Sequence, residues 1–514
     1  MISDDNAANT KRIAKNTLML YIRMMFGMLV SLYTSRVVLA ALGVEDYGIY
    51  NVVGGFVAMF SLISSSLSSS VGRFLTFELG KGNLNNLRRV FSTSVLIHIA
   101  LAVVVLLLAE TVGIWFLNAK MTIPESRMYA ANWVFQASVI SFMFSLLTVP
   151  YNASIIAHEK MTAFAYIGIL DVLLRLVIVL FIAYAPFSFD RLIVYGSLLV
   201  VVNILLQCIY LAYCLRHFVE CRSKLFFDKA CWKEMSAFAG WNFIGCSAAL
   251  LKDQGVNILL NLFVGPVLNA ARGIATTVNG AVASFANNFM MALNPQITKN
   301  YASGDYSYMF SLVKRGSRFS FYILFMLALP ILIETDFILT LWLGNFPEHT
   351  ANFVRLVLIL SLSDIVSNTL ITLQNATGKI RTYQIVVGGV LLLNFPFSYL
   401  CLYLGFPPES TMLVAIGVSV CCLILRLCFL RRSVGLSIRG YLWNVGVNVL
   451  MVSAISVVIP YILHNRMSDG WERFLLVTVV SVMVSSMIIF YVGCTPGERA
   501  FLKQKVRELS KRFK

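Results

Sequence analysis

Three stretches of this chain set the terms for everything else: Val90 to Ala109, Leu192 to Leu215 and Phe474 to Val492 contain no Asp, Glu, Lys or Arg. A helix rises about 1.5 Å per residue, so roughly 20 residues cross a hydrocarbon core of about 30 Å. Each stretch is long enough. A soluble domain carries about 25% charged residues. This chain has 13% charged and 59% hydrophobic residues, too few charges to cover a water-facing surface. The apolar runs are broad and do not alternate in period two. They therefore predict helices, whose backbone polar groups are satisfied internally, and not a β-barrel.

Extended along the chain, this reasoning predicts an all-α polytopic membrane protein of about 14 transmembrane helices. They are expected at 17–39, 47–71, 90–117, 129–150, 163–185, 192–215, 237–262, 267–292, 319–341, 351–375, 383–404, 411–430, 442–463 and 473–493. The formal net charge of +17 would suggest nucleic acid in a soluble protein, but its distribution gives another meaning. With the N-terminus inside, the inner connecting segments hold 29 Lys and Arg and the outer ones hold 4. That bias predicts cytoplasmic N- and C-termini and no nucleic-acid partner. The opening Met1-Ile2-Ser3-Asp4-Asp5 lacks the basic flank of a cleavable signal peptide, so none is expected. Ten cysteines are scattered without metal or disulfide spacing, so no metal site is expected and the thiols read as packing residues.

The inner segment 216–236 mixes Arg222, Lys224, Lys229 and Lys233 with Phe226, Phe227 and Trp232, which suits a linker lying along the membrane surface. In the tail, 494–514, Leu502, Val506, Leu509 and Phe513 form one stripe among basic residues and predict an interfacial amphipathic helix. The middle of the chain resembles its beginning. A shift of 222 places Gly43 on Gly265, Thr76 on Thr298 and Gly82 on Gly304, and lays 78–83 on 300–305. A shift of 219 places Ala157 on Ala376 and Lys160 on Lys379. The expected organisation is an N-lobe at 1–215, the linker at 216–236, a C-lobe at 237–430, an extra helix pair at 431–493 and the tail. Two pseudo-symmetric six-helix lobes of this kind belong to carriers that alternate access.

The run from Ser35 to Tyr50, with Leu42-Gly43-Val44-Glu45-Asp46-Tyr47-Gly48-Ile49-Tyr50 at its centre, resembles the first outer loop of bacterial polysaccharide biosynthesis flippases. Pro295-Gln296-Ile297 through Gly304-Asp305 resembles the matching segment after their eighth helix. The chain is thus similar to the O-antigen and capsule repeat-unit branch of the multidrug/oligosaccharidyl-lipid/polysaccharide (MOP) exporter superfamily. That resemblance implies a MATE-like carrier with a cavity lined mainly by helices 1, 2, 7 and 8. It implies an undecaprenyl-diphosphate-linked oligosaccharide cargo, a bacterial inner-membrane location, and a polymerase and glycosyltransferases of the same pathway as partners. It also implies a transporter with no catalytic residues.

Arg or Lys near the bilayer centre costs about 2.5–3.5 kcal/mol on insertion scales. Arg23 and Arg36 in helix 1, Lys252 in helix 7 and Arg272 in helix 8 all fall on helices that the resemblance assigns to the cavity, where they would contact a diphosphate. Structural alternatives stand beside these roles. Arg36 suits snorkelling to the outer interface, Lys252 suits an ion pair with another helix, and Arg355 and Arg426 are expected to snorkel. Glu110, Asp171, Asp253 and Asp364 are candidates for coupling to a proton or sodium ion; Asp171 and Arg175, four apart, equally suit an intrahelical pair. The membrane potential alone is a further driving force, and no cofactor is expected. The serine run from Ser61 to Ser70 and the asparagines 257, 261, 279, 287 and 288 suit either close helix packing or a hydrated path.

Two other functions fit a polytopic chain. A multidrug exporter for cations should have an acidic or aromatic cavity, at odds with Arg23, Lys252 and Arg272. An O-antigen polymerase or ligase should carry a large outer loop, and none is predicted. No GxxxxGK[ST] sequence occurs, which argues against ATP-driven transport.

Overall fold

The computed structural model describes residues 2–58, 60–119, 123–184, 189–222, 224–264, 266–500 and 503. The expected tail helix therefore lies almost wholly outside the described residues, and the Arg36 side chain lies outside them too. The described chain is built of helices: α1 (Ile2–Ala58), α2 (Ser61–Lys81), α3 (Leu84–Leu108), α4 (Ile114–Ala119), α5 (Met128–Ala157), α6 (Met161–Tyr184) and α7 (Arg191–His217). There follow α8 (Lys229–Phe263), α9 (Pro266–Ser303), α10 (Tyr306–Ile333), α11 (Thr335–Leu343), α12 (Thr350–Ile365) and α13 (Asn368–Thr377). The last are α14 (Arg381–Leu392), α15 (Asn394–Tyr403), α16 (Ser410–Val434), α17 (Ile438–Tyr441), α18 (Asn448–Arg466) and α19 (Trp471–Ile488).

Among the described residues, 11 helical segments are long and apolar enough to cross a membrane, which makes this a multi-pass membrane protein. Of the other three expected spans, 237–262 lies in α8, 267–292 in α9, and 47–71 falls on the end of α1 and the start of α2; none is among those 11. In α8 and α9 polarity is the reason, with Lys252, Asp253 and Gln254 in one and Arg272 with several asparagines in the other; 47–71 includes residues outside the described ones. Helices 1 and 2 are not joined by a loop of several residues, as expected, but by a kink at Gly43, whose φ of 81° is a left-handed conformation that glycine adopts freely.

The sequence repeat has a structural counterpart. Gly82 ends α2 with φ 69° and Gly304 follows α9 with φ 82°. The next residue caps the following helix in both cases: the Asn83 side chain accepts from the Asn86 N–H, and the Asp305 side chain accepts from the Tyr308 N–H. The 219 shift behaves similarly, since it lays Glu159 (φ 58°) on Gly378 (φ 74°).

The chain divides into two compact units, 1–246 with 298–304, and 247–297 with 305–514. The expected N-lobe and linker both fall in the first unit, and the expected extra helix pair falls in the second.

In the first unit, α5 and α7 pack so closely that a Cβ at Gly196 would meet Ala137 and Val134 at 3.5 Å. A buried cluster including Val53, Ala109, Val134, Phe135 and Leu192 forms at one end. There the Arg127 guanidinium donates to both Asp46 carboxylate oxygens, at 2.8 and 2.6 Å, and also pairs with Asp190, which caps α7. Three segments expected on one side of the membrane thus meet. At the other end, α2 and α8 are joined by Ser66 Oγ donating to the Ala239 carbonyl at 2.7 Å and Ser70 Oγ to the Met235 carbonyl at 3.2 Å. These two serines serve helix packing.

In the second unit, Tyr383, Val387, Val418 and Cys422 form a buried apolar cluster. Hydrogen bonds tie Ser317 to Thr369 and Tyr441. Arg318 donates to Glu498 at 2.7 Å, and Glu334 holds both His464 at 2.8 Å and Arg473 at 3.0 Å. Arg426 does not snorkel as expected; it is buried, with its Nε 3.3 Å from the Tyr383 hydroxyl. Arg355 pairs with Asp336 at 2.6 Å. All ten cysteines are free thiols.

Candidate membrane-embedded charged sites

In the first unit α1 presents Arg23 to α6. The guanidinium carbon stands 4.2 Å over the Phe164 ring, a cation–π arrangement that lets an ion sit among apolar groups. One turn along, Gly168 makes room: a Cβ there would lie 2.2 Å from Arg23 Nε. Asp171, a further turn on, acts on Arg23 electrostatically. The same Asp171 accepts from Arg175 Nε at 2.6 Å, the intrahelical pair that the i, i+4 spacing allows. Arg175 then borders a cavity of about 260 Å³ lined also by Tyr50, Ser138, Ser141, Ser145 and Asn203. Two cations, one carboxylate and a hydroxyl-rich hollow are therefore grouped on α1, α5, α6 and α7.

In the second unit the successive residues Lys252 and Asp253 point from α8 to different neighbours, because adjacent residues on a helix lie about 100° apart. Lys252 Nζ is 3.8 Å from Asp364 on α12. Asp364 in turn accepts from the Ser419 hydroxyl on α16. Asp253 faces Arg272 on α9. The Arg272 guanidinium donates to the Asp253 backbone carbonyl at 2.8 Å and to the Asn257 side chain, while its carboxylate contact is a looser 3.9 Å. Both pairs share an asymmetry. The Lys252 and Arg272 side chains are only 8% and 7% exposed, but the Asp364 and Asp253 side chains are 47% and 61% exposed. The cations are buried, and each stands 3.8 or 3.9 Å from the carboxylate it faces.

Six of the eight candidate residues thus fall into three clusters: Arg23 with Asp171, Lys252 with Asp364, and Arg272 with Asp253. Glu110 stands apart. It is exposed on the π-helical turn Ala109–Gly113, and no described contact joins it to the others. Arg36 carries a candidate role whose side chain lies outside the described residues.

Among the buried charges that the sequence reading did not single out is Glu159. Lying between α5 and α6, it has a fully buried carboxylate that binds Arg12 of α1 at 2.8 Å and Lys299 near the end of α9 at 2.6 Å. Its φ of 58° is a conformation that costs a non-glycine residue about 1–2 kcal/mol. The signal available in the sequence was a lone acid in a loop expected on the basic side; its partners, 140 or more residues away in each direction, carried no mark.

The fold is shared with known transporters. A MATE transporter, ClbM, in complex with Rb⁺ superimposes with a TM-score of 0.67 at 14% identity, covering 84% of this chain and 97% of that one. An outward-facing multidrug resistance MATE family transporter of the MOP superfamily gives 0.66 at 13%, covering 82% and 95%. A MOP superfamily transporter from Pyrococcus furiosus, described as having a binding pocket of reverse polarity that suggests a different function, gives 0.66 at 12%, covering 82% and 95%. No curated protein sequence matches this one. The family model described as "Polysaccharide biosynthesis protein" matches residues 10–301, more than half of the chain. With that match, on a MATE-like fold, the chain belongs to the polysaccharide biosynthesis protein family.

Proposed function

We propose that this protein is a flippase that carries an undecaprenyl-diphosphate-linked oligosaccharide across the bacterial inner membrane by alternating access, for O-antigen, capsule or exopolysaccharide synthesis. The observation that carries this reading is the set of buried, incompletely paired cations, Lys252 and Arg272, together with Arg23. Each cation costs insertion energy, and a carboxylate at 3.8 or 3.9 Å offsets it only in part. A diphosphate that must shed water gains charge-assisted hydrogen bonds from such groups. The family membership supports a role in polysaccharide assembly.

In this reading the N- and C-termini are cytoplasmic, and a polymerase and glycosyltransferases of the pathway act beside the carrier. An anionic headgroup leaving a negative cytoplasm gains about 2.3 kcal/mol per charge per 100 mV. Coupling to a proton or sodium ion would use Asp171, Asp253 or Asp364, the three carboxylates that already stand against cations.

Cation export is the second reading, favoured by the fold likeness to multidrug resistance transporters. Buried Lys252 and Arg272 oppose it, because they repel a cationic drug. The Pyrococcus furiosus transporter, whose binding pocket of reverse polarity is described as suggesting a different function, shows that pocket polarity varies within this fold. Proteoliposomes distinguish the two. A fluorescent lipid-diphosphate oligosaccharide should move and a cationic dye should not; movement of the dye alone would replace the flippase reading with export.

A further inference from the structure

The described residues between α7 and α8 run along one end of the first unit and are sorted into an inward and an outward set of side chains. Inward, Phe218 is buried with its ring stacked on His158 at 4.2 Å, and the buried Glu220 meets His158 Nε2 at 2.7 Å. Asp228 pairs with Arg89 of α3 and caps α8 by accepting from the Cys231 N–H at 2.8 Å. Between these points the backbone is pinned to α3. Ser92 Oγ donates to the Phe226 carbonyl at 2.8 Å, and the Phe226 N–H donates back to Ser92 Oγ at 2.6 Å.

That pinning sets a depth. Ser92 lies two residues into the uncharged run that begins at Val90, where α3 starts its expected span. Leu225, Phe226 and Phe227 are thereby held at the edge of the apolar layer, and they are 51%, 41% and 62% exposed. Phe227 is backed by Trp232 of α8, with ring centroids 5.5 Å apart. Aromatic side chains settle at this level of a bilayer.

The charges are sorted as well. Both acids of the segment, Glu220 and Asp228, are held by His158 and Arg89, and the next acid, Glu234, borders a cavity with Arg73. The bases are turned out: Arg216, Lys224, Lys229 and Lys233 are exposed, and none of the four pairs with another described residue. Arg222 adds to their field while its guanidinium donates to the Leu215 and Arg216 carbonyls at the end of α7. Cations flanking exposed apolar side chains complement a surface that is anionic above and apolar beneath. A soluble acidic protein would match the cations and leave the rings in water. A zwitterionic bilayer would accept the rings and leave the cations unmatched.

We propose that this segment is a docking surface for anionic phospholipid headgroups, with Lys224, Lys229 and Lys233 at the level of the phosphates and Phe226 and Phe227 beneath them. Its chemistry is independent of the cargo.

Photocrosslinking of the full-length protein in nanodiscs tests it. Benzoylphenylalanine placed at Phe227 is irradiated in bilayers of phosphatidylcholine containing a known fraction of phosphatidylglycerol, and the adducts are identified by mass spectrometry. Lipid adducts should dominate, with phosphatidylglycerol enriched about fivefold over its share of the bilayer. Combining Lys224→Gln, Lys229→Gln and Lys233→Gln, all at exposed positions, should reduce that enrichment to parity while lipid adducts persist. Adducts to a second copy of the chain in place of lipid, equal use of the two lipids with the native lysines, or an enrichment that survives the triple change would each overturn the proposal.

Discussion

Gly168 and Arg23 fit together so tightly that one methyl group cannot be added between them: a Cβ at residue 168 would stand 2.2 Å from Arg23 Nε. The missing side chain on α6 is what lets a guanidinium from α1 lie over Phe164 and within the field of Asp171. Gly168→Ala should therefore expel Arg23 from its seat and destabilise the protein by about 1–3 kcal/mol, the usual range for overpacking. Thermal unfolding in detergent checks this. Adding Arg23→Ala to Gly168→Ala should recover part of the loss, and strict additivity of the two changes would contradict the contact.

Glu159 joins Arg12 and Lys299 while holding a strained backbone. Glu159→Gln should keep the strain but lose the charge, at a cost of about 1–3 kcal/mol. Glu159→Gly relieves the strain and loses the carboxylate, so its loss should be smaller. Equilibrium unfolding ranks the two. A glycine variant less stable than the glutamine variant would mean that left-handed strain at this position is negligible.

The Arg127 junction makes a pH prediction. Burial works against the charged Asp190 carboxyl, but the Arg127 hydrogen bond and the backbone N–H groups of α7 outweigh it and hold the group below the ordinary carboxylate range. A carboxyl whose pKa is lowered on folding contributes stability above its unfolded pKa and loses it as pH falls through the folded value. The contribution should be complete at neutral pH and vanish only below about pH 4. Unfolding followed from pH 7 to pH 3 should show Asp190→Asn less stable than the native protein at neutral pH, with the difference closing in acid. A difference that does not narrow at all between pH 7 and pH 3 would contradict the assignment.

Lys252 and Asp364 form a pair in which the cation is the more deeply buried partner. Asp364→Asn should destabilise the fold more than the double change Lys252→Met with Asp364→Asn, because it alone leaves a buried cation without its carboxylate. Thermal stability of the two variants in detergent decides. The reverse order would indicate that Lys252 finds its compensation elsewhere.

Much of this architecture was legible because bilayer and backbone impose rules that act over short distances. Long uncharged runs marked helices, and Gly82-Asn83 and Gly304-Asp305 marked two equivalent turns whose glycine conformations and caps then agreed. Asp171 and Arg175 were legible for the same reason, since four residues make one turn. The partners of Arg426, Glu159 and Arg272 were not. Tyr383, Lys299 and Asn257 reach them through helix packing, which leaves no local pattern in the chain. The break point at Leu393 was equally invisible, because the apolar run continues up to it.

The central claim is that buried cations serve a phosphate-bearing cargo. Its most direct test is translocation of a fluorescent lipid-diphosphate oligosaccharide in proteoliposomes containing Arg23→Ala or Arg272→Ala, with folding and insertion verified for each. The account predicts that translocation falls by about tenfold or more in each variant, the effect of losing a transition-specific contact of roughly 1.4 kcal/mol. Transport at the native rate by both correctly inserted variants would contradict it.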